Sequence, residues 1–278
     1  MEAPLKNTTT LVTGITDSNS LALACAKQIK KEGGNIICSA LGLTSFHSNL
    51  SDKAKAYLEK TYSDFQKTIE SELGKETPTL AMDVTLDGSI EEAAKQLKQK
   101  GIQLTGLLHS IAMDKTIRAG VVKPLLEVTR EEFSGAMDVS AYSLIALTRS
   151  LLQEGVLQKN SSIVSLSYLG AEKIVQHPYK NIGVAKAALE RITIELAFEL
   201  GKSHNIKVNA IRFSPFTGSK AGGAIQGLQE AFDYNEKNAP LGNAKPEDLG
   251  YEVAYLLRPY GRITSEIRHV DGGYNSRA

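Results

Sequence analysis

TTTLVTGITDSNSLALACAK, residues 8–27, joins a β-branched run to a helix-forming run across a turn that begins at Gly14. TTTLVTG (8–14) predicts a buried strand, and the residues from about Ser20 to Lys31 predict the helix that follows it. The same alternation continues to the end of the chain. GNIICSA (34–40), TLAMDV (79–84), LTGLLHSIA (104–112), SSIVSLS (161–167), IKVNAIRF (206–213) and IRHVDGG (267–273) predict further strands. Helices are expected over 51–73, 88–100, about 130–154 and 181–202. Nearly continuous apolar strands imply burial on both faces, and strand–helix repeats imply right-handed crossovers. The expected fold is α/β: a single-domain Rossmann-like, doubly wound seven-stranded parallel sheet flanked by helices. No repeat, low-complexity tract or linker divides residues 1–278. The longest irregular piece, about 214–245, is expected to be functional, as loops of that length inside compact domains usually are.

Composition narrows the function. Hydrophobic residues make up 42% and charged residues 23%, with 32 basic against 31 acidic side chains. That balance carries no footprint for nucleic acid or an anionic membrane surface. Cys25 and Cys38 form no CxxC pair and have no histidine cluster beside them, which predicts reduced thiols, a cytoplasmic setting and no metal site. MEAPLKNTTT lacks the apolar run of a signal peptide, and no segment has the ~20 apolar residues of a membrane span.

Ligands of such sheets bind outside the carboxyl ends of the strands. Those ends are Gly14–Ser20, Ser39–Leu41, Asp83–Val84, Ser110–Met113, Tyr168 and Ser214–Pro215. The first turn departs from G-x-G-x-x-G, with Ser18 and Ser20 at the later glycine positions. Gly14 can supply the tight turn. Ser20 can cap the helix and offer its hydroxyl, with the first N–H groups, to a pyrophosphate; an ordinary capped βα turn fits the same residues. Strand two ends in Ser39, Ala40, Leu41 and Gly42, with neither the acid of an NAD site nor the arginine of an NADP site, so both cofactors stay open. Asp83 can accept from an adenine amino group or stabilise the next helix start.

The chemistry-bearing stretch is SLSYLGAEKIVQHPYKNIGVAKAALE, 165–190. Tyr179 and Lys186 are two helical turns apart and share a face. An ammonium beside a phenol favours phenolate, so the Tyr179 pKa is expected to fall below about 10. The lysine can also donate to the ribose of a nicotinamide nucleotide. An exposed tyrosine and a surface lysine would satisfy the same pattern.

SYLGAE followed by Tyr-(six residues)-Lys resembles the NAD(P)H-dependent enoyl-[acyl-carrier-protein] reductases, a divergent branch of the short-chain dehydrogenase/reductases. The resemblance covers essentially the whole chain: LVTGITDSNSLA, MDV, LLHSIAM, DVSAYSL, IKVNAIRFSP, NAPLG and HVDGGY occur in the family's order. It implies a cytoplasmic homotetramer that reduces trans-2-enoyl thioesters on acyl carrier protein with NADH, NADPH not being excluded. It implies catalytic roles for Tyr179, Lys186 and Tyr168. Gly14, Ser20, Leu21, Asp83, Val84, Ser110, Ile111, Ala112, Lys186 and Pro215 would contact the cofactor. Tyr168, Met113, Phe216 and Ile225 would contact the acyl group, with 214–245 as the substrate loop.

The chain departs from the family pattern twice. The step from Tyr168 to Tyr179 is eleven positions rather than ten, with Gln176–Pro178 as the expected site of the extra residue. The AGP-x-x-T segment is FSPFTGS, which keeps Pro215 but puts Gly218 where a threonine is usual. Two other functions remain open. A ketoreductase would use Ser167, Tyr179 and Lys186, although it would place tyrosine and lysine one turn apart. A catalytically silent nucleotide-binding protein would use neither. Lys220 and Arg212 are candidate anchors for the acidic carrier protein, or solvated charges. His177 is expected to be a loop residue.

Overall fold

Parallel strands form the centre of the computed structural model, which describes residues 3–118, 121–219 and 225–277. In chain order the strands are β1 (Thr9–Thr13), β2 (Asn35–Ala40), β3 (Thr79–Ala81), β4 (Leu104–His109), β5 (Ile117–Arg118), β6 (Val121–Val122), β7 (Leu157–Tyr168), β8 (Lys207–Phe213) and β9 (Ile267–Val270). The helices are α1 (Leu21–Lys31), α2 (Asp52–Leu73), α3 (Asp87–Gln99), α4 (Arg130–Met137), α5 (Ser143–Gln153), α6 (Lys180–His204), α7 (Leu228–Asn238) and α8 (Pro246–Leu257). Seven strands make one sheet in the order β3-β2-β1-β4-β7-β8-β9, every neighbouring pair parallel. The expected doubly wound architecture is therefore present.

Alternation along the strands builds two cores from one sheet. Leu11, Leu107 and Ile163 join Leu144, Leu147 and Leu189 on one face. Their strand neighbours Val12, Leu108 and Val164 join Ile29, Phe65 and Val253 on the other. At Gly250 of α8 a Cβ would lie 3.1 Å from the Gln28 Cβ, so the glycine lets α8 press closely onto α1.

Six elements differ from the sequence reading. The helix expected over 130–154 is two helices joined by one π turn at Asp138–Tyr142; α4 is started by a Thr129–Glu132 capping box. Strand three ends at Ala81 and strand four at His109, which leaves Asp83, Val84 and 110–112 as loop. The stretch 214–245 contains α7, so it is not irregular throughout. The β5–β6 hairpin and α8 have no counterpart in the sequence reading. Among the described residues, no helix is long and apolar enough to cross a membrane.

Candidate functional site

The strand order turns back on itself between β1 and β4, because β1 leads outward to β2 and β3 while β4 leads the other way to β7. This switch point opens a crevice at the carboxyl ends. Gly14 forms its wall. Its φ is +83°, and a Cβ there would lie 1.8 Å from the carbonyl oxygen of Ser110, so only glycine fits. The two strand ends are tied together: the Ser110 N–H donates to Thr13 Oγ1 at 3.2 Å, and that hydroxyl donates to the Leu108 carbonyl at 2.9 Å.

Ser20 precedes α1 but does not cap it with its side chain. Its buried Oγ accepts from the Thr16 and Asp17 N–H groups, both at 2.9 Å, and donates to the Asp17 carbonyl at 2.8 Å. The hydroxyl therefore shapes the 16–20 loop. The first N–H groups of α1, beginning at Leu21, face the turn without intrahelical acceptors. A switch-point crevice, a Cβ-free wall and a helix N-terminus together suit a dinucleotide.

Asp83 is already engaged. Its Oδ2 meets His47 Nε2 at 3.0 Å, and its Oδ1 accepts from the Thr85 N–H at 2.9 Å. The Thr44 N–H donates to His47 Nδ1 at 3.0 Å, so the ring's proton sits on Nε2 and points at the carboxylate. Val84 is half-buried beside it.

At the other end of the crevice, the π turn aims Ser140 at the loop after β4. The Met113 N–H donates to Ser140 Oγ at 3.0 Å, and that hydroxyl donates to the Met113 carbonyl at 3.1 Å. Ile111 is half-buried there, while Ala112 and Met113 are exposed. Lys186 is 5% exposed. Its ammonium donates to the Leu166 carbonyl at 2.7 Å and approaches the Ile111 carbonyl at 3.5 Å. Burial lowers its pKa to about 8, against the opposing pull of Glu190.

Tyr179 immediately precedes α6. Its ring lies over Gly170, where a Cβ would come within 2.3 Å of it, and a Cβ on Gly183 would lie 2.8 Å from the Gly170 carbonyl. These two glycines let the start of α6 press against the turn after β7. The Tyr179 ring also meets Tyr168, with centroids 4.9 Å apart. The Tyr179 pKa is shifted upward by burial, with Glu190 and Asp114 acting in the same direction. The expected lowering is thus reversed, because the Lys186 ammonium turns to the Leu166 and Ile111 carbonyls and burial dominates. Tyr168 is shifted upward by burial as well. Both side chains are phenols, in the donor form.

The Gln176–Pro178 segment turns a histidine inward. His177, expected in an ordinary loop position, is 3% exposed and packs 5.4 Å from Tyr168 and 5.7 Å from Tyr179. Burial lowers its pKa to about 4, so the imidazole is neutral near pH 7.

After β8, Pro215 is buried, and Phe216 packs edge-on to Phe213 at 6.4 Å. The Ser214 hydroxyl accepts from the Ala244 N–H at 2.9 Å, which closes the base of the 214–245 segment. Ile225 is half-buried, and Gly227 abuts His177: a Cβ on this glycine would lie 3.5 Å from the histidine Cβ. Arg212 is not a surface anchor, since it is buried in an ion pair with Glu190. Lys220 lies outside the described residues. Ser167 donates to Glu190 Oε1 at 2.5 Å and is committed to that contact. Ser140, Glu190 and His177 were not singled out as site residues from sequence. Each acquires its role through a partner distant in the chain or through packing. Among the described residues, no group of three or more His, Cys, Asp or Glu side chains is placed to hold a metal ion.

Comparison with known proteins gives a concordant picture. A family model described as enoyl-(acyl carrier protein) reductase matches residues 14–275. The chain is 36% identical over 273 residues to an NADH-dependent enoyl-[acyl-carrier-protein] reductase of Aquifex aeolicus, covering 95% of this chain and 90% of that one. A crystal structure of an enoyl-[acyl-carrier-protein] reductase (NADH) from Aquifex aeolicus superposes with a TM-score of 0.81, at 32% identity and with 98% and 97% of the two chains covered. The Bacillus cereus enoyl-acyl carrier protein reductase, solved with NADP+ and indole naphthyridinone, superposes with a TM-score of 0.83 at 28% identity over 99% of both chains.

Proposed function

The chain belongs to the enoyl-(acyl carrier protein) reductase family, and from that membership we propose how its residues carry the family's reaction. It is an oxidoreductase of fatty acid biosynthesis that reduces trans-2-enoyl thioesters on acyl carrier protein to acyl thioesters. Bound NADH supplies the hydride that the β-carbon receives. Negative charge then develops on the thioester oxygen, and the Tyr179 hydroxyl donates to it. A donor aimed at that oxygen stabilises the transition state more than the ground state. The α-carbon takes a proton from solvent to complete the acyl product.

Lys186 would hold the nicotinamide ribose with the donor capacity not used by the Leu166 and Ile111 carbonyls. Gly14 allows the backbone to approach the pyrophosphate, and Leu21 presents the opening N–H of α1. Ser20 contributes by shaping the loop. Asp83 and Val84 would border the adenine, Ser110–Ala112 would line the cofactor wall, and Pro215 would contact the carboxamide. Tyr168, Met113, Phe216 and Ile225 wall the acyl channel under the 214–245 loop.

The observation that carries this reading is the contact between Tyr168 and Tyr179 at the carboxyl end of β7, the strand whose Leu166 carbonyl receives the buried Lys186 ammonium. A ketoreductase would need the Ser167 hydroxyl for its substrate carbonyl, and here that hydroxyl is buried against Glu190. The test is cofactor oxidation with a trans-2-enoyl thioester and, separately, a 3-ketoacyl thioester. Oxidation with the enoyl substrate is expected; oxidation with the ketoacyl substrate alone would overturn the assignment. No oxidation with either would favour a silent nucleotide-binding protein.

The assembly is proposed to be a cytoplasmic homotetramer. Leu126, Phe133, Val184 and Phe198 are exposed on the α4–α6 side, and Tyr251, Tyr255 and Leu241 on the α8 side. The α8 face also carries a cavity of about 770 Å³. Light scattering that gave a monomer at micromolar concentration would refute the tetramer.

A further inference from the structure

Across β7, β8 and β9 runs a row of polar side chains. Ser167 is in register with Arg212, and Arg212 with His269. Side chains at one register level of a parallel sheet share a face. Two of these three converge on a single group, the Glu190 carboxylate of α6. Ser167 Oγ and Arg212 Nε reach Oε1 at 2.5 and 2.8 Å, and Arg212 Nη2 reaches Oε2 at 2.6 Å. This is a two-point guanidinium–carboxylate fork with an added hydroxyl, and Glu190 and Arg212 are 7% and 6% exposed. Breaking such a buried pair leaves an uncompensated charge.

Glu190 stands one helical turn beyond Lys186, and Lys186 donates to the carbonyl of Leu166, the residue just before Ser167. Two adjacent residues at the end of β7 are therefore clamped by two adjacent turns of α6. The buried fork lies one turn along α6 from the lysine assigned to the cofactor ribose.

Resting on the Tyr179–Lys186 assignment above, we propose that Glu190, gripped by Arg212 and Ser167, is a positioning residue. It holds the Lys186 turn against the strand ends and keeps both Lys186 and Tyr179 as hydrogen-bond donors.

The charges around the pair support this. Facing Lys186 are Glu190 from its own helix and His109 from β4. His109 is held neutral near pH 7, its pKa lowered to about 3 by burial and then by Lys186 itself. Glu190 opposes the loss of the ammonium proton that burial favours. Tyr179 faces Glu190 and Asp114, both of which disfavour phenolate. Around Arg212 stand Glu172 and His269, the latter paired through Nδ1 with Asp271 at 3.5 Å. Arg212 and Ser167 hold the Glu190 side chain in place, and Glu190 in turn biases the two working side chains toward their protonated forms.

The experiment is NADH titration by fluorescence over pH 6 to 9.5 on the intact protein, which needs no enoyl turnover. Glu190→Gln keeps the shape of the fork and removes its charge. The expected result is an NADH affinity within about threefold of wild type at pH 6.5. The loss of affinity at high pH should begin about one unit lower, giving about a fivefold deficit near pH 8 that approaches about tenfold by pH 9.5. Glu190→Asp, which keeps the charge, should restore most of the wild-type profile. The double variant Glu190→Leu/Arg212→Met removes the pair without stranding a charge, so it remains testable if the single variant folds poorly, and it should show the same displacement. An unchanged pH profile with a lowered melting temperature would overturn the proposal and leave a purely structural staple. A displaced profile in a protein that does not oxidise NADH with an enoyl thioester would sustain this inference and refute the assigned reaction. Failure of the wild type to bind NADH would refute both.

Discussion

The Tyr179 ring meets the Tyr168 ring edge-on, with centroids 4.9 Å apart and planes at 70°. The two phenols are neighbours in space, yet they belong to different elements and are assigned different tasks. Tyr179→Phe should lower kcat by about 10²-fold, the usual consequence of removing one donor from a developing oxyanion. Its NADH affinity should stay near wild type. Tyr168→Phe should cost less than tenfold. Steady-state kinetics beside NADH titration separates the two, and a larger loss at Tyr168 would exchange their roles.

Lys186 predicts opposite pH trends for binding and stability. Burial lowers its pKa from the ordinary 10.5 to about 8 in the folded chain. NADH affinity should therefore fall as pH rises through about 8. Between about 8 and 10.5 the unfolded chain binds more protons at this group, so its contribution to folding stability rises with pH. Compared with Lys186→Met, the wild type should gain in melting temperature over the window in which it loses NADH. Parallel thermal melts and titrations at pH 7 and 9.5 would reveal a failure of either trend.

Gly170→Ala is a test of geometry without a change of charge. The new methyl would sit 2.3 Å from the Tyr179 ring and displace it. Misplacement of a reacting group by about 1 Å can cost about 10²-fold. A loss of that order in kcat is expected, with NADH binding largely retained.

Gly14→Ala should act at the other end of the crevice. A left-handed φ costs a non-glycine residue about 1–2 kcal/mol, and the added carbon would drive Ser110 away from the β1 end. A lower melting temperature and weakened NADH binding should appear together. Normal NADH affinity in this variant would remove Gly14 from the cofactor wall.

NADH should be preferred to NADPH by at least about tenfold in kcat/KM. The segment 39–52 after β2 holds no lysine or arginine to receive a 2′-phosphate, and its histidine, His47, is turned onto Asp83. An unpaired phosphate placed near a carboxylate is penalised electrostatically. Equal efficiency with the two cofactors would show that a cation reaches the ribose from elsewhere in the chain.

What could be read in advance from the sequence was what depends on local order. The β1–Gly14–α1 unit follows from one apolar run and one turn, whereas the helical face expected to carry Tyr179 and Lys186 together holds only Lys186, since Tyr179 precedes α6 in a non-helical conformation. Ser20 shows where that kind of reading stops: its place before α1 was legible, but not the turning of its hydroxyl into the 16–20 loop. The π turn at 138–142 was invisible because its residues suit an uninterrupted helix, and only the tertiary contact of Ser140 with Met113 distinguishes the two. Glu190 read as one more charge on a long helix. Its significance comes from the register of β7 with β8, which places Ser167 and Arg212 side by side beneath it.

The Ser214–Ala244 bond has a consequence for how the molecule can vary. The outgoing and returning ends of the segment between them are fastened to each other. The returning end is fastened again where the Leu241 N–H donates to the Gly272 carbonyl at 3.0 Å, at a crossing so close that a Cβ on Gly272 would lie 1.8 Å from the Gly242 carbonyl oxygen. What lies between is in effect an exchangeable cassette. Doubling the length of a flexible loop adds only about 0.6 kcal/mol of closure entropy. The cassette can therefore be lengthened or recut to suit a different acyl chain while the cofactor half of the protein keeps its geometry.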